Sequence, residues 1–200
     1  MDNINSNAYK EFHKKLYKEH GNNIKSLDWS EESQWKRFEV LASIGKWNNK
    51  TVLDVGCGFG DFLSCLYTQE GLFQPKNYVG IDVMNEFVEA AKKKYPFGEF
   101  RNTDIIDIND NFDYVIASGI FYLPSNDWVE RTSNILQKMF NLCNIGIGAN
   151  FLSALSPNQK DGRYYADPSY VLVNTMNFIS KKVILRHDYL PNDFTVFVYK

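Results

Sequence analysis

Apolar positions along the chain follow two alternating periods. Thr51 to Val55, Tyr78 to Asp82 and Tyr114 to Ser118 are short runs rich in β-branched, aromatic and aliphatic residues, with the length of strands covered on both faces. Two further strands are expected at about Glu99 to Asn102 and Asn144 to Asn150. Between these runs apolar residues recur three and four apart. That spacing predicts a helix opening at about Phe59 or Gly60 and reaching about Thr68, and a second from Asn85 to Tyr95, stopped by Pro96. A third runs from Asn126 to Leu142, with Trp128, Thr132, Ile135, Leu136 and Met139 on one face.

The first fifty residues carry polar helical periodicity, about Ala8 to Glu19 and then Glu31 to about Ile44, with Ser30 as the cap of the second helix. After Asn150 comes a polar insertion, NQKDGRYYADP, then a helix from Pro168 to Ile179. Strands Lys182 to His187 and Thr195 to Tyr199 flank YLPND. Strand and helix alternation predicts an α/β fold with a doubly wound, mainly parallel sheet. The closing hairpin makes the last of seven strands antiparallel. Residues 1–50 read as an N-terminal helical cap and 51–200 as the main domain, one structural unit overall without internal repeats.

Composition narrows the class. Two hundred residues with 44% hydrophobic content suffice for one sheet covered by helices. Cys57, Cys65 and Cys143 are odd in number and form no CxxC pair, which suits a reducing cytoplasm and argues against a structural zinc site. The amino terminus has no apolar leader, and no segment approaches eighteen uncharged apolar residues, so a cytoplasmic protein without a membrane span is expected. Net charge is −2, and the densest basic run, Lys92 to Lys94, falls at a helix carboxyl end where lysines complement the dipole. A nucleic-acid partner would call for a basic face with several phosphate contacts. The expected partner is instead a small molecule, met by a monomer or homodimer, with no metal.

The chemistry concentrates in VLDVGCGFGDF, Val52 to Phe62. Gly56, Gly58 and Gly60 permit a sharp turn and close ligand approach between a strand and a helix amino terminus. A dinucleotide fingerprint fails here, because its last glycine position is Asp61, an acid that would also repel a diphosphate. Asp54 precedes the loop, and Asp82 follows 28 residues later, about one strand, helix and strand further on, so both carboxylates should face one crevice. Asp104 follows the third strand, with Asp107 and Asp110 as neighbours competing for its place. Ser118 and Gly119 end the fourth strand.

Alternate glycines led by an acid two residues before the first resemble the loop of class I S-adenosylmethionine-dependent methyltransferases, whose Rossmann-like fold carries the same seven-stranded sheet. The resemblance covers residues 31 to 200. It implies S-adenosylmethionine as cofactor, held by Asp54, Gly56, Cys57, Gly58 and Gly60. Asp82 and Val83 would meet the ribose hydroxyls, Asp104 and Ile105 the adenine, and Ser118 and Gly119 the methyl side. Trp29, Glu32 to Phe38, and Arg186 to Lys200 resemble segments of small methyltransferases of bacterial biosynthetic clusters. Arg37 is the candidate for pairing the cofactor carboxylate bidentately.

On the acceptor side, His187 is the candidate base, at a strand end beside Asp188, while His13 and His20 sit on a polar helix where solvation is expected. Phe121, Tyr122, Tyr164 and Tyr165 are candidates for a pocket over the methyl, with Tyr122 the second candidate catalytic residue. The expected activity is methyl transfer to an oxygen or nitrogen of a small-molecule or glycan-pathway acceptor. The alternative is a cofactor-binding regulator without turnover, and a closed pocket around Ser118, Tyr122 and Tyr165 separates the two.

Overall fold

The computed structural model describes residues 6–68 and 75–200. Helices α1 (Ser6–His20) and α2 (Glu31–Ala42) precede β1 (Thr51–Val55), α3 (Asp61–Thr68), β2 (Asn77–Asp82) and α4 (Asn85–Lys94). They are followed by β3 (Glu99–Asn102), β4 (Phe112–Ala117), α5 (Trp128–Leu142), β5 (Cys143–Leu152), α6 (Pro168–Phe178), β6 (Val183–Leu190) and β7 (Asp193–Tyr199). The seven strands form one sheet in the order β3-β2-β1-β4-β5-β7-β6. Pairings among β1 to β5 are parallel, and β7 runs antiparallel between β5 and β6. The order reverses at β1, so the crevice beyond the carboxyl ends of β1 and β4 is the ligand-binding position of such a sheet.

The pleat sorts β1 onto two cores. Leu53 and Val55 join a cluster with Ile135 and Met139 of α5 and Val171 of α6, whereas Val52 joins one with Leu41 of α2, Phe62 of α3 and Val88 of α4. Trp47 is fully buried in the second cluster and donates its indole N–H to the Ala42 carbonyl at 2.7 Å.

Several boundaries differ from the sequence expectation, each for a local reason. α3 begins at Asp61, because Gly58 and Gly60 take φ of +54° and +78°, outside the right-handed helical region. α5 begins at Trp128, after a turn that closes from Trp128 N–H to the Ser125 carbonyl. The final hairpin is tighter than YLPND suggested. Strand pairing continues to Leu190 opposite Asp193, leaving only Pro191 and Asn192 in the turn.

Asp193 extends the strand because it is anchored from outside the hairpin. Arg37 of α2 donates from Nε to Oδ1 at 2.7 Å and from Nη2 to Oδ2 at 3.2 Å, with both side chains almost fully buried. The Arg37 guanidinium lies 3.7 Å from the centre of the Trp29 ring. Thus the segment around Trp29 and the carboxyl-terminal hairpin, both parts of one resemblance in the sequence, meet through one ion pair. Breaking such a pair from one side leaves an uncompensated buried charge. Arg37→Met is expected to cost about 3–5 kcal/mol in urea unfolding, and adding Asp193→Leu should restore most of that loss.

Candidate functional site

The turn leaving β1 is pinned to the end of β2. Gly56 and Cys57 both donate to the Ile81 carbonyl, at 2.8 and 3.0 Å, and Gly58 donates to Asp82 Oδ2 at 3.0 Å. Asp82 Oδ1 accepts from Met84 N–H at 2.9 Å. The carboxylate therefore fixes the glycine turn and the entry to α4 while its remaining lone pairs stay available, since an ionised carboxylate offers about four acceptor sites. Burial raises Asp82 to about 6 against the opposing pull of these backbone N–H groups. Asp54 is buried one strand over, accepts from Tyr78 Oη at 2.5 Å, and is raised to about 7, chiefly by burial.

Two clefts open along this turn. One, of about 560 Å³, is lined by Gly56, Asp82, Val83, Asp104, Ile105 and Ile120. The other, of about 460 Å³, is lined by Asp54, Cys57, Gly58, Ser118, Gly119 and Trp29. Gly56 and Tyr9 of α1 border both. The structure thus brings the sequence-derived set of Asp54, Gly56, Cys57, Gly58, Asp82, Val83, Asp104, Ile105, Ser118 and Gly119 to two adjoining clefts. Gly60 lies behind it, where an added Cβ would meet the Phe100 ring at 2.7 Å. Asp104 also accepts from Ile106 N–H at 3.2 Å, as the cap of a single 3₁₀ turn. Asp61 points away and pairs with Lys94 and Tyr95.

This lining fits a cationic nucleoside. Apolar walls flank two buried carboxylates, and a second phosphate-type ligand would meet those acids at close range. The loop after β4 is held by Asn150, whose Oδ1 accepts from Gly119 N–H at 2.9 Å and whose Nδ2 donates to Ser118 Oγ at 3.2 Å. Gly119 takes φ of +72°, and a Cβ there would stand 2.8 Å from the Trp29 indole, so only glycine lets the loop pass this ring.

A larger cavity, about 1260 Å³, opens on the far side of Trp29 and Arg37, which also line the glycine-side cleft. Tyr122, Tyr165, Asp28, Lys160 and Arg163 border it.

Four expectations need correction. The Nε and Nη2 edge of Arg37, expected to fork a ligand carboxylate, is committed to Asp193, although the residue does border both cavities. His187 lies within β6, the outermost strand, with Nε2 2.8 Å from Ser153 Oγ, and Asp188 pairs with Arg186 instead of orienting it. Phe121 is buried core, and Tyr164 stacks on Trp128 at 3.9 Å, so of the four aromatics only Tyr122 and Tyr165 reach the larger cavity. His13, expected in solvent, is 1% exposed and meets Tyr122. Tyr9, His13, Asn150 and Arg131 are site residues that sequence reasoning missed. The contacts that place His13 and Asn150 span long chain separations, so no local pattern announces them.

The residues 46–159 match a family model described as a methyltransferase domain. A Mycobacterium tuberculosis protein named as a candidate methyltransferase is 33% identical over 159 residues, covering 75% of this chain and 93% of that one. A tRNA (guanine-N(7)-)-methyltransferase of Clostridium acetobutylicum is 32% identical over 115 residues, 47% of this chain and 53% of its own. Among solved structures, the N-methyltransferase NodS of Bradyrhizobium japonicum, in complex with S-adenosyl-L-homocysteine, superposes with a TM-score of 0.67 at 15% identity, over 94% of this chain and 98% of that one. That likeness shows the fold.

The raised carboxyls of Asp54 and Asp82 have a definite sign in stability. Both hold protons to higher pH in the folded chain than in the unfolded one, so their contribution is favourable at low pH and is lost as pH rises through about 6 to 7. His13, pushed down by burial, opposes this below its ordinary value. The difference between wild type and Asp54→Asn isolates the carboxyl effect: the variant's thermal midpoint minus that of wild type should be more positive at pH 8 than at pH 5.5, read by calorimetry without ligand.

Proposed function

The chain belongs to the methyltransferase-domain family, and from that premise we propose that it transfers the methyl group of S-adenosylmethionine to an oxygen or nitrogen of a small-molecule or glycan-pathway acceptor. The supporting observation is the shared wall of Trp29 and Arg37: the cleft over the glycine turn and the larger cavity beyond it meet there. One cavity suits the donor, the other an acceptor, and they adjoin.

In this reading Asp82 takes the ribose hydroxyls with its free lone pairs, and Val83, Ile105 and Ile120 hold the base between apolar surfaces. Asp104 stands where the adenine amino group would be met. The glycine turn and Ser118 lie under the amino-acid end, and Asp54 adds negative potential beneath it. The cofactor supplies an electrophilic methyl on a cationic sulfur. The protein's part is to hold the acceptor in line with that methyl and exclude water, an effect that can provide about 7–11 kcal/mol of barrier reduction.

The acceptor cavity is concave and framed by Trp29, Tyr122 and Tyr165, which favours a compact molecule. The net charge of −2 gives the chain no overall basic excess of the kind a polynucleotide partner favours.

Calorimetric titration should find binding of S-adenosylmethionine and its demethylated product, weakened at least tenfold by Asp82→Ala. A pyridine dinucleotide binding in their place would overturn the assignment. Incubation with labelled S-adenosylmethionine and a metabolite extract of the source organism should then yield a labelled product.

A further inference from the structure

Between the two cavities runs a buried chain of three polar groups that the donor site does not use. Ser26 lies in a 3₁₀ turn, Ile24–Leu27, packed beneath α1. Its carbonyl oxygen is 2.9 Å from His13 Nδ1. The other ring nitrogen, Nε2, is 3.1 Å from the hydroxyl of Tyr122. A carbonyl can only accept, so Nδ1 carries the proton. In the neutral ring Nε2 is then a bare acceptor, and the Tyr122 hydroxyl donates to it. That hydroxyl keeps two lone pairs, and Tyr122, only 2% exposed, lies in the wall of the acceptor cavity while His13 borders the donor cleft.

The surroundings keep the ring neutral and fixed. Tyr9 lies at 4.3 Å, and Phe12, Phe87 and Tyr122 meet it edge-on at 5.2 to 6.4 Å. The charged groups that act on it are Asp28 and Arg163, which pair with each other, so their opposite influences largely cancel. Burial dominates and lowers the His13 value from the usual histidine range. Arg163 also lies over the Tyr122 ring, at 5.3 Å from its centre.

We propose that Tyr122 and His13 form a proton relay for the transfer, with Tyr122 the catalytic residue that touches the acceptor and His13 the positioned base behind it, and that the acceptor is accordingly a hydroxyl compound. The inference rests on the transfer reading above. As the acceptor oxygen bonds to the methyl carbon, the carbon–sulfur bond breaks and sulfur keeps the electron pair. The acceptor proton passes to Tyr122 Oη while the proton of Tyr122 passes to His13 Nε2. The positive charge lost at sulfur thus reappears on an imidazolium whose Nδ1–H is already held by the Ser26 carbonyl. An amine attacking through its lone pair needs no such outlet at the moment of attack, whereas a hydroxyl does.

The test has two readouts. In the complex with S-adenosylhomocysteine, nitrogen NMR of His13 should report the neutral Nδ1–H tautomer from pH 6.5 to 8. An Nε2–H tautomer, or an imidazolium at pH 7, overturns the relay, because no lone pair then faces Tyr122. For turnover, labelled S-adenosylmethionine and the extract-derived acceptor pool serve as probe. The product should be an O-methyl compound, and the rate should fall as pH drops through the His13 ionisation below 6.5. Tyr122→Phe and His13→Gln should each lower kcat by about 10²-fold or more, with S-adenosylhomocysteine affinity kept within about threefold. His13→Gln retains an acceptor for the tyrosine hydroxyl but cannot take its proton, so a merely structural latch predicts near-normal turnover with the acidic limb unchanged. That result, or an N-methyl product, overturns the relay while leaving the transfer reading intact. If Tyr122→Phe does not fold, His13→Gln decides alone. Cofactor binding without any labelled product removes the transfer reading and the relay together.

Discussion

A nearly buried carboxylate in the wall of a cleft organises this molecule. Asp82 ends the second strand, and each of its oxygens takes a backbone N–H, one from the glycine turn after β1 and one from the entry to α4. Two connections that would otherwise be independent loops become one rigid edge. Burial alone would favour the protonated acid, and the N–H groups work against that, leaving the group poised near 6. A cation bound beside it would complete the stabilisation of the ionised form. The site is thus preorganised in geometry and incomplete in charge, the condition under which a positively charged ligand gains most from binding.

The parts of the fold that were legible in the sequence are those set by neighbours along the chain. Thr51–Val55 falls where its hydrophobic run length puts it, Glu99–Asn102 lies at its expected place in the strand and helix alternation, and Pro96 ends α4 as its missing N–H requires. The acids of the crevice were legible for the same reason, since the βαβ repeat fixes how far along the chain the next strand end must come. What escaped is set by partners far away in sequence. Arg37 and Asp193 are 156 residues apart, and nothing in either segment announces the other. His13 sits on a helix whose composition reads as solvated, and its burial comes from Tyr122, 109 residues on. His187 erred in the opposite direction: a histidine beside an acid suggested a dyad, but strand order put it on the outer rim and gave the acid to Arg186.

The two halves of the site differ in how they are built. The clefts over the glycine turn rest on strand ends and on backbone N–H groups held by the Asp82 carboxylate. The larger cavity rests on side chains from α1, the Trp29 segment, the loop after β4 and the last hairpin, joined by the Arg37 ion pair, the Arg163 and Asp28 pair and the His13 contact. Function on a shared scaffold resides in side chains placed in this way rather than in the sheet itself.

The sheet also has two open rims, and neither invites another strand. On one side β3 is only four residues long and carries Glu99 and Arg101, paired with each other. On the other, the ladder of β6 with β7 is interrupted between Arg186 and Leu190, and the irregular stretch displays the charged Arg186 and Asp188. A brief charged border and a kinked one make poor templates for edge-to-edge association. A sheet that is so apolar through its middle strands can therefore persist at high concentration without polymerising through its backbone.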